Sequence, residues 1–250
     1  MLRVGARGRV ALLLRLDRGL ARRATAEAVG TGLLVAVVVG SGIFAQRLSP
    51  HDAGLQLLEN SIATGAGLIA LILAFGPVSG AHFNPVVTLA DRLLGGLSTS
   101  DALTYVGAQV TGGCAGCVVA NLMFDLSAVT LSTHTRSSGG LWLGEVVATF
   151  GLLMVILGVV RSGRATAAPF AVGGYIAAAY WFTSSTSFAN PAVTVARSLT
   201  NTFAGIRPSS VPLFVVFEVV GGVAAVALAR FLYPTIRAEE IVVPHEAAHD

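Results

Sequence analysis

Asparagine followed by proline occurs twice in this chain at the head of a short apolar run. The copies are Asn84-Pro85-Val86-Val87-Thr88-Leu89-Ala90 and Asn190-Pro191-Ala192-Val193-Thr194-Val195-Ala196. Asn is a favoured N-cap and Pro suits the first helical position, so each copy reads as a helix start. Two opposed helix starts would each bring about half a positive charge to their meeting point. The two side-chain amides there could donate to one oxygen of a passing molecule, and the positive ends would raise the energy of any cation, hydronium included. That chemistry recognises a neutral, hydroxyl-bearing solute and makes no bond.

The elements around these motifs belong to a membrane. Hydrophobic residues make up 54% of the 250 and charged residues 12%, against about 25% charged in a soluble domain. Six apolar stretches are long enough to span, at about 25–46, 56–76, 101–124, 141–160, 166–184 and 211–232. The Asn-Pro segments, about 84–95 and 190–200, are too short to span. Such breaks are tolerated in lipid only around a site or a pore. The expected fold class is therefore an all-α integral membrane protein of six transmembrane helices and two half-helices.

The halves also repeat outside the motifs. Glu27-Ala-Val-Gly-Thr31 in the first span answers Glu145-Val-Val-Ala-Thr149 in the fourth; Gln109-Val-Thr-Gly112-Gly113 in the third answers Glu218-Val-Val-Gly221-Gly222 in the sixth. Three spans per half is an odd number, so the halves must lie in opposite orientations, with a site near the midplane. Arginines at 3–23, 92, 161, 164, 230 and 237 outweigh those at 47, 136, 197 and 207, which favours both termini inside. The expected divisions are a basic cytoplasmic tail 1–23, a channel domain 24–232 (halves 24–125 and 139–232) and a cytoplasmic tail 233–250. The apolar run 10–14 is too short for a signal-peptide core.

These motifs together resemble the aquaporins of the major intrinsic protein family. The resemblance rests on Ser79-Gly80-Ala81-His82-Phe83-Asn84-Pro85, Phe188-Ala189-Asn190-Pro191-Ala192, the Glu-led spans and Tyr105-Val-Gly-Ala-Gln109. It implies an aquaporin-like inverted repeat with an hourglass pore in each subunit of a homotetramer, in the plasma membrane (the bacterial inner membrane). Asn84, Pro85, Val86, Asn190, Pro191 and Ala192 would form the pore junction. Glu27 and Glu145 would hold the re-entrant loops through backbone hydrogen bonds, with Gln109 and Glu218 in support. Glu218 replaces a neutral amide, which leaves its protonation open. His82 would line the cytoplasmic half of the pore or stabilise its loop. Free carbonyls of residues 78–83 and 186–189 would form an acceptor ladder on one wall, opposite apolar side chains.

The sequence departs from the family where an Arg normally follows the second Asn-Pro-Ala. Val193 stands there, and Arg197 comes one turn later, about 6 Å further along the helix on roughly the same face. Arg197 either guards the outer vestibule or bonds loop carbonyls at a helix end. Counting back from the two Asn residues without gaps gives Thr64, Ala178, Ser187 and Val193 as the selectivity filter, a ring with no aromatic or charged member. Such a ring should be wide. The missing Arg also resembles a bacterial subgroup linked with metalloid handling.

The implied function is a passive channel for water and small neutral solutes, favouring glycerol-like polyols or metalloid acids such as arsenite. An ordinary water-selective aquaporin is the alternative, and an ion-coupled transporter of inverted-repeat type a more distant one. No catalytic constellation stands at usable spacing, so no enzyme is expected, nor any cofactor, metal or nucleic-acid partner. Cys114 and Cys117 read as packing residues in a Gly-rich span. The partners are the solute, the bilayer and other copies of the chain.

Overall fold

The computed structural model describes residues 6–234, with side chains from Gly19 onward. The helices are α1 (Ala6–Leu48), α2 (Ala53–Ser79), α3 (Pro85–Leu94), α4 (Thr99–Met123), α5 (Gly139–Arg161), α6 (Ala168–Phe182), α7 (Pro191–Ala196) and α8 (Val211–Leu232). Among the described residues there is no strand. Among the described residues, five helices are long and apolar enough to cross a bilayer. The sixth expected span, 166–184, is the 15-residue α6 preceded by a 3-10 turn at Ala165–Ala167. It reaches about 22 Å at 1.5 Å per residue, less than the hydrocarbon thickness.

The packing follows the repeat. α1 lies on α2 and α4, as α5 lies on α6 and α8; α4 touches α7, as α8 touches α3; α2 meets α6 and α3 meets α7. That exchange of partners is what a two-fold between inverted halves requires. Glycines permit close helix crossings in both halves. A Cβ on Gly112 would strike the Ala28 carbonyl of α1, and one on Gly221 would strike the Val146 carbonyl of α5. Small residues at such crossings let backbones approach in lipid, where dispersion rather than water exclusion drives packing.

Two boundaries differ from expectation. The first helix begins at Ala6 and runs unbroken through the stretch expected as a tail. Its continuation is tied down where it is described, since Arg23 pairs with Asp101 at 2.8 Å. The second half-helix stops at Ala196 and continues only as a 3-10 turn, Arg197–Leu199. The C-terminal tail beyond residue 234 and the side chains of residues 1–18 lie outside the described residues.

Candidate functional site

The two half-helices meet through a reciprocal clasp. Asn84 caps α3, its Oδ1 accepting from Val86 N at 2.9 Å. Asn190 caps α7, its Oδ1 accepting from Ala192 N and Val193 N at 3.0 and 3.3 Å. Each amide nitrogen also reaches across. Asn84 Nδ2 donates to the Ala189 carbonyl and Asn190 Nδ2 to the Phe83 carbonyl, both at 2.7 Å. An amide nitrogen carries two hydrogens, so one on each Asn remains for a solute. Both residues border the central cavity.

The loops entering the clasp are held in unusual backbone. Gly80, Ala81 and Phe83 have φ of 85°, 49° and 49°; their repeat mates Thr186, Ser187 and Ala189 have 63°, 52° and 47°. Left-handed conformations in non-glycine residues cost on the order of 1–3 kcal/mol each and need support from outside. Glu27 supplies it in the first loop, accepting from His82 N (3.0 Å), Phe83 N (2.7 Å), Ser79 Oγ (2.6 Å) and Gln109 Nε2 (2.8 Å). Glu145 accepts from Phe188 N (3.0 Å) and Ala189 N (2.7 Å) in the second. Gln109 also donates to Thr88 Oγ1 at 2.9 Å, while Glu218 accepts from Thr194 Oγ1 at 2.5 Å. Thr31 Oγ1 and Gln109 Oε1 have no partner among the described residues, and neither does Thr149 Oγ1, the counterpart of Thr31.

One wall of the cavity is apolar and built at helical period. Leu34 and Val38 come from α1, Leu68 and Ile72 from α2, Leu152, Ile156 and Val160 from α5, and Val172 and Ile176 from α6. The lining also includes residues 80–83 and 187–189 of the two loops, with Asn84 and Asn190. Three of the expected ladder carbonyls already accept one hydrogen bond each, which leaves each a second lone pair. Ser79 O is taken by the Tyr105 hydroxyl, and Phe83 O and Ala189 O by the clasp. Val78 belongs to α2. A lumen lined by both apolar side chains and donor–acceptor groups can exchange the water shell of a hydroxylated solute stepwise.

The family model described as "Major intrinsic protein" matches residues 17–186. A protein named aquaglyceroporin AqpS from Rhizobium meliloti (strain 1021) is 55% identical over 87% of this chain and 93% of its own length. The chain belongs to the major intrinsic protein family. Aquaporin NIP2-3 of Zea mays is 31% identical over 88% of this chain and 71% of its own length. The fold matches the solved aquaglyceroporin from Plasmodium falciparum with a TM-score of 0.70 at 20% identity, covering 86% of this chain and 98% of that one.

In this major intrinsic protein the expected filter residues divide. Thr64, Ser187 and Val193 border the cavity; Ala178 does not. Ala178 is exposed on the outer face of α6, and Tyr180 lines the cavity in its place. The cause is helical register: Ala168, Val172, Ile176 and Tyr180 follow one another at i, i+4 on the inner face, and Ala178 points the other way. The Tyr180 hydroxyl lies 3.1 Å from Thr64 Oγ1. Arg197 also borders the cavity and is only 2% exposed. The cavity lining therefore includes an aromatic and a charged residue, Tyr180 and Arg197, where the sequence suggested a filter with neither.

His82 borders the cavity and is also braced. Its Nδ1 lies 3.1 Å from Thr88 Oγ1, its Nε2 is 3.5 Å from Asp91 Oδ2, and its ring packs edge-on to Tyr105. Sequence reasoning missed Tyr180, Arg136, Phe188 and Asp91. The i, i+4 apolar line of α6 was the available signal for Tyr180. Arg136 lies in an aperiodic loop and carries no such signal. Cys114 and Cys117 do not border the cavity, and no metal-type cluster of His, Cys, Asp or Glu occurs among the described residues.

Proposed function

We propose that the chain is a passive, multi-pass membrane channel for water and small uncharged hydroxylated solutes, glycerol-like polyols and metalloid acids such as arsenite among them. It works without cofactor or chemical conversion. The observation that carries this reading is the pair of cross-clasped amides, Asn84 and Asn190, bordering a cavity with an apolar wall. Each clasp bond fixes its amide, so the remaining hydrogen meets a solute oxygen without reorganising. The glycerol assignment is supported by the name of the Rhizobium relative. The arsenite assignment is supported by Val193 standing where the family usually has Arg. In this reading the protein is a homotetramer of the bacterial inner membrane with both termini cytoplasmic. Asn84, Pro85, Val86, Asn190, Pro191 and Ala192 form its junction, Glu27, Glu145, Gln109 and Glu218 support its loops, and Thr64, Tyr180, Ser187 and Val193 form its filter.

A water-selective channel is the second reading. It is favoured by Tyr180 and Arg197, two bulky residues bordering the cavity that the sequence-derived filter leaves out. Stopped-flow light scattering on proteoliposomes separates the two. Water, glycerol and arsenite permeabilities above those of empty vesicles support the broad channel; a rise in water alone supports the narrow one. No rise for any solute rejects both.

A further inference from the structure

Arg197 is a buried cation bordering the cavity, with four of its five N–H donors uncommitted. Its Nε donates to the Ala204 carbonyl at 2.5 Å, and its Cζ sits 3.4 Å from the centroid of the Phe188 ring. One edge and one face of the guanidinium are therefore occupied. Its two Nη nitrogens have no protein acceptor, and the residue forms no ion pair, among the described residues. Burying an unpaired cation is costly, so its retention needs a compensating interaction. The cavity lies against it.

A second arginine supports the arrangement from behind. Arg136, in the loop 124–138, places its Cζ 5.1 Å from the same Phe188 ring. Its Nε donates to Gly205 O at 3.0 Å and its Nη2 to Phe203 O at 3.5 Å. Three consecutive carbonyls, at 203, 204 and 205, thus hold two guanidiniums around one phenyl ring. The loop is itself stitched to the end of the second half-helix, through Thr130 N to Leu199 O and Ser132 N to Ser198 O, both 3.0 Å. Val193, Thr64 and Tyr180 border the same cavity.

We propose that Arg197 is the specificity-determining fixed charge of the constriction and that Arg136 is its positioning residue, acting through Phe188 and the 203–205 carbonyls. The charge comes from the turn after α7 instead of from the residue beside Asn190-Pro191-Ala192. The Nη hydrogens donate to the hydroxyl oxygens of a neutral solute, while the unpaired charge excludes organic and inorganic cations of the same size. This inference rests on the channel reading and deepens it.

Methylammonium uptake into proteoliposomes, read beside glycerol uptake, tests it. Wild type should pass glycerol and exclude methylammonium. Arg197→Gln, checked for fold by circular dichroism and monodisperse elution, should admit methylammonium at least about tenfold faster, because a unit charge at contact distance dominates that barrier. A folded R197Q that excludes the cation as wild type does overturns the proposal. Arg197→Lys keeps the charge and should keep the exclusion; a leak equal to that of R197Q overturns the charge assignment. Arg136→Gln should leak about threefold, by misplacing the charge rather than removing it. The double variant should leak no more than R197Q; additive leaks overturn the positioning role. Should R197Q fail its fold checks, R136Q decides: a leak supports the proposal and none overturns it. Wild type impermeable to glycerol and water would instead overturn the channel reading itself.

Discussion

In the first half, Glu27 takes two backbone N–H groups of the re-entrant loop, and Gln109 stands beside it as a donor. In the second, Glu145 takes two backbone N–H groups in the same way, but Glu218 stands where Gln109 would be. Beyond the scaffold the halves part further. The first loop presents His82, braced by Thr88 and Asp91, and its half-helix runs ten residues. The second presents Phe188 under two guanidiniums, and its half-helix runs six. The repeated part is what fixes the strained backbone of both loops. The unrepeated part includes His82 and Phe188, which both border the cavity. A channel built from two copies of one motif can thus differ in its lining without altering its scaffold.

Removing the scaffold carboxylates should break both halves alike. Glu27→Ala and Glu145→Ala each strand two buried N–H groups on left-handed backbone. At about 1–3 kcal/mol per stranded group, each variant should lose about 2–6 kcal/mol. Thermal unfolding in detergent, followed by circular dichroism, checks this; a wild-type Tm for either variant would contradict the shared scaffold.

The clasp should show the two-fold directly. Asn84→Ala and Asn190→Ala should each cost about 1–3 kcal/mol and lower flux. Their effects should be similar in size and should couple in the double variant by roughly 0.5–3 kcal/mol, as groups in one network do. Strict additivity would mean that the two loops do not hold each other.

The Gln109/Glu218 difference invites an exchange. Gln109→Glu sets a second carboxylate against Glu27 and loses its donor, so it should cost about 1–3 kcal/mol. Glu218→Gln keeps an acceptor for Thr194 and should cost less than about 1 kcal/mol. Equal losses would show that position 218 needs its acid for more than that hydrogen bond.

The smallest effect belongs to the Arg23–Asp101 pair at the α1–α4 surface, whose side chains are 23% and 24% exposed. Water screens such a pair, and Arg23→Ala should cost less than about 1 kcal/mol. A loss as large as that of Glu27→Ala would mean that this pair, not the buried carboxylate, anchors the first half.

Much of this could be read from the sequence because membrane burial forces periodicity and punctuation. The first half-helix, expected at 84–95, is Pro85–Leu94; the sixth span, expected at 211–232, is Val211–Leu232. The errors fall where neither signal operates. Ala178 was placed by counting across a loop whose Thr186 and Ser187 are left-handed, and backbone of that kind is not paced by residue number. The second half-helix was drawn too long because the run 190–200 stays apolar after its hydrogen bonding tightens at Arg197. Before residue 24 the sequence holds seven Arg and no apolar run long enough to span. Arg136 reaches Phe188 from a loop without period, so tertiary structure alone brings it to the site.

The most direct test of the solute path is stopped-flow shrinkage of proteoliposomes carrying wild type beside Val193→Arg. Val193 borders the cavity between Asn190 and Arg197, so an added guanidinium there narrows the ring. Wild type should raise water and glycerol permeability over empty vesicles, and V193R should lower glycerol permeability more than water permeability. Wild type at the empty-vesicle level, or a folded V193R with an unchanged glycerol-to-water ratio, would contradict a solute path through this cavity.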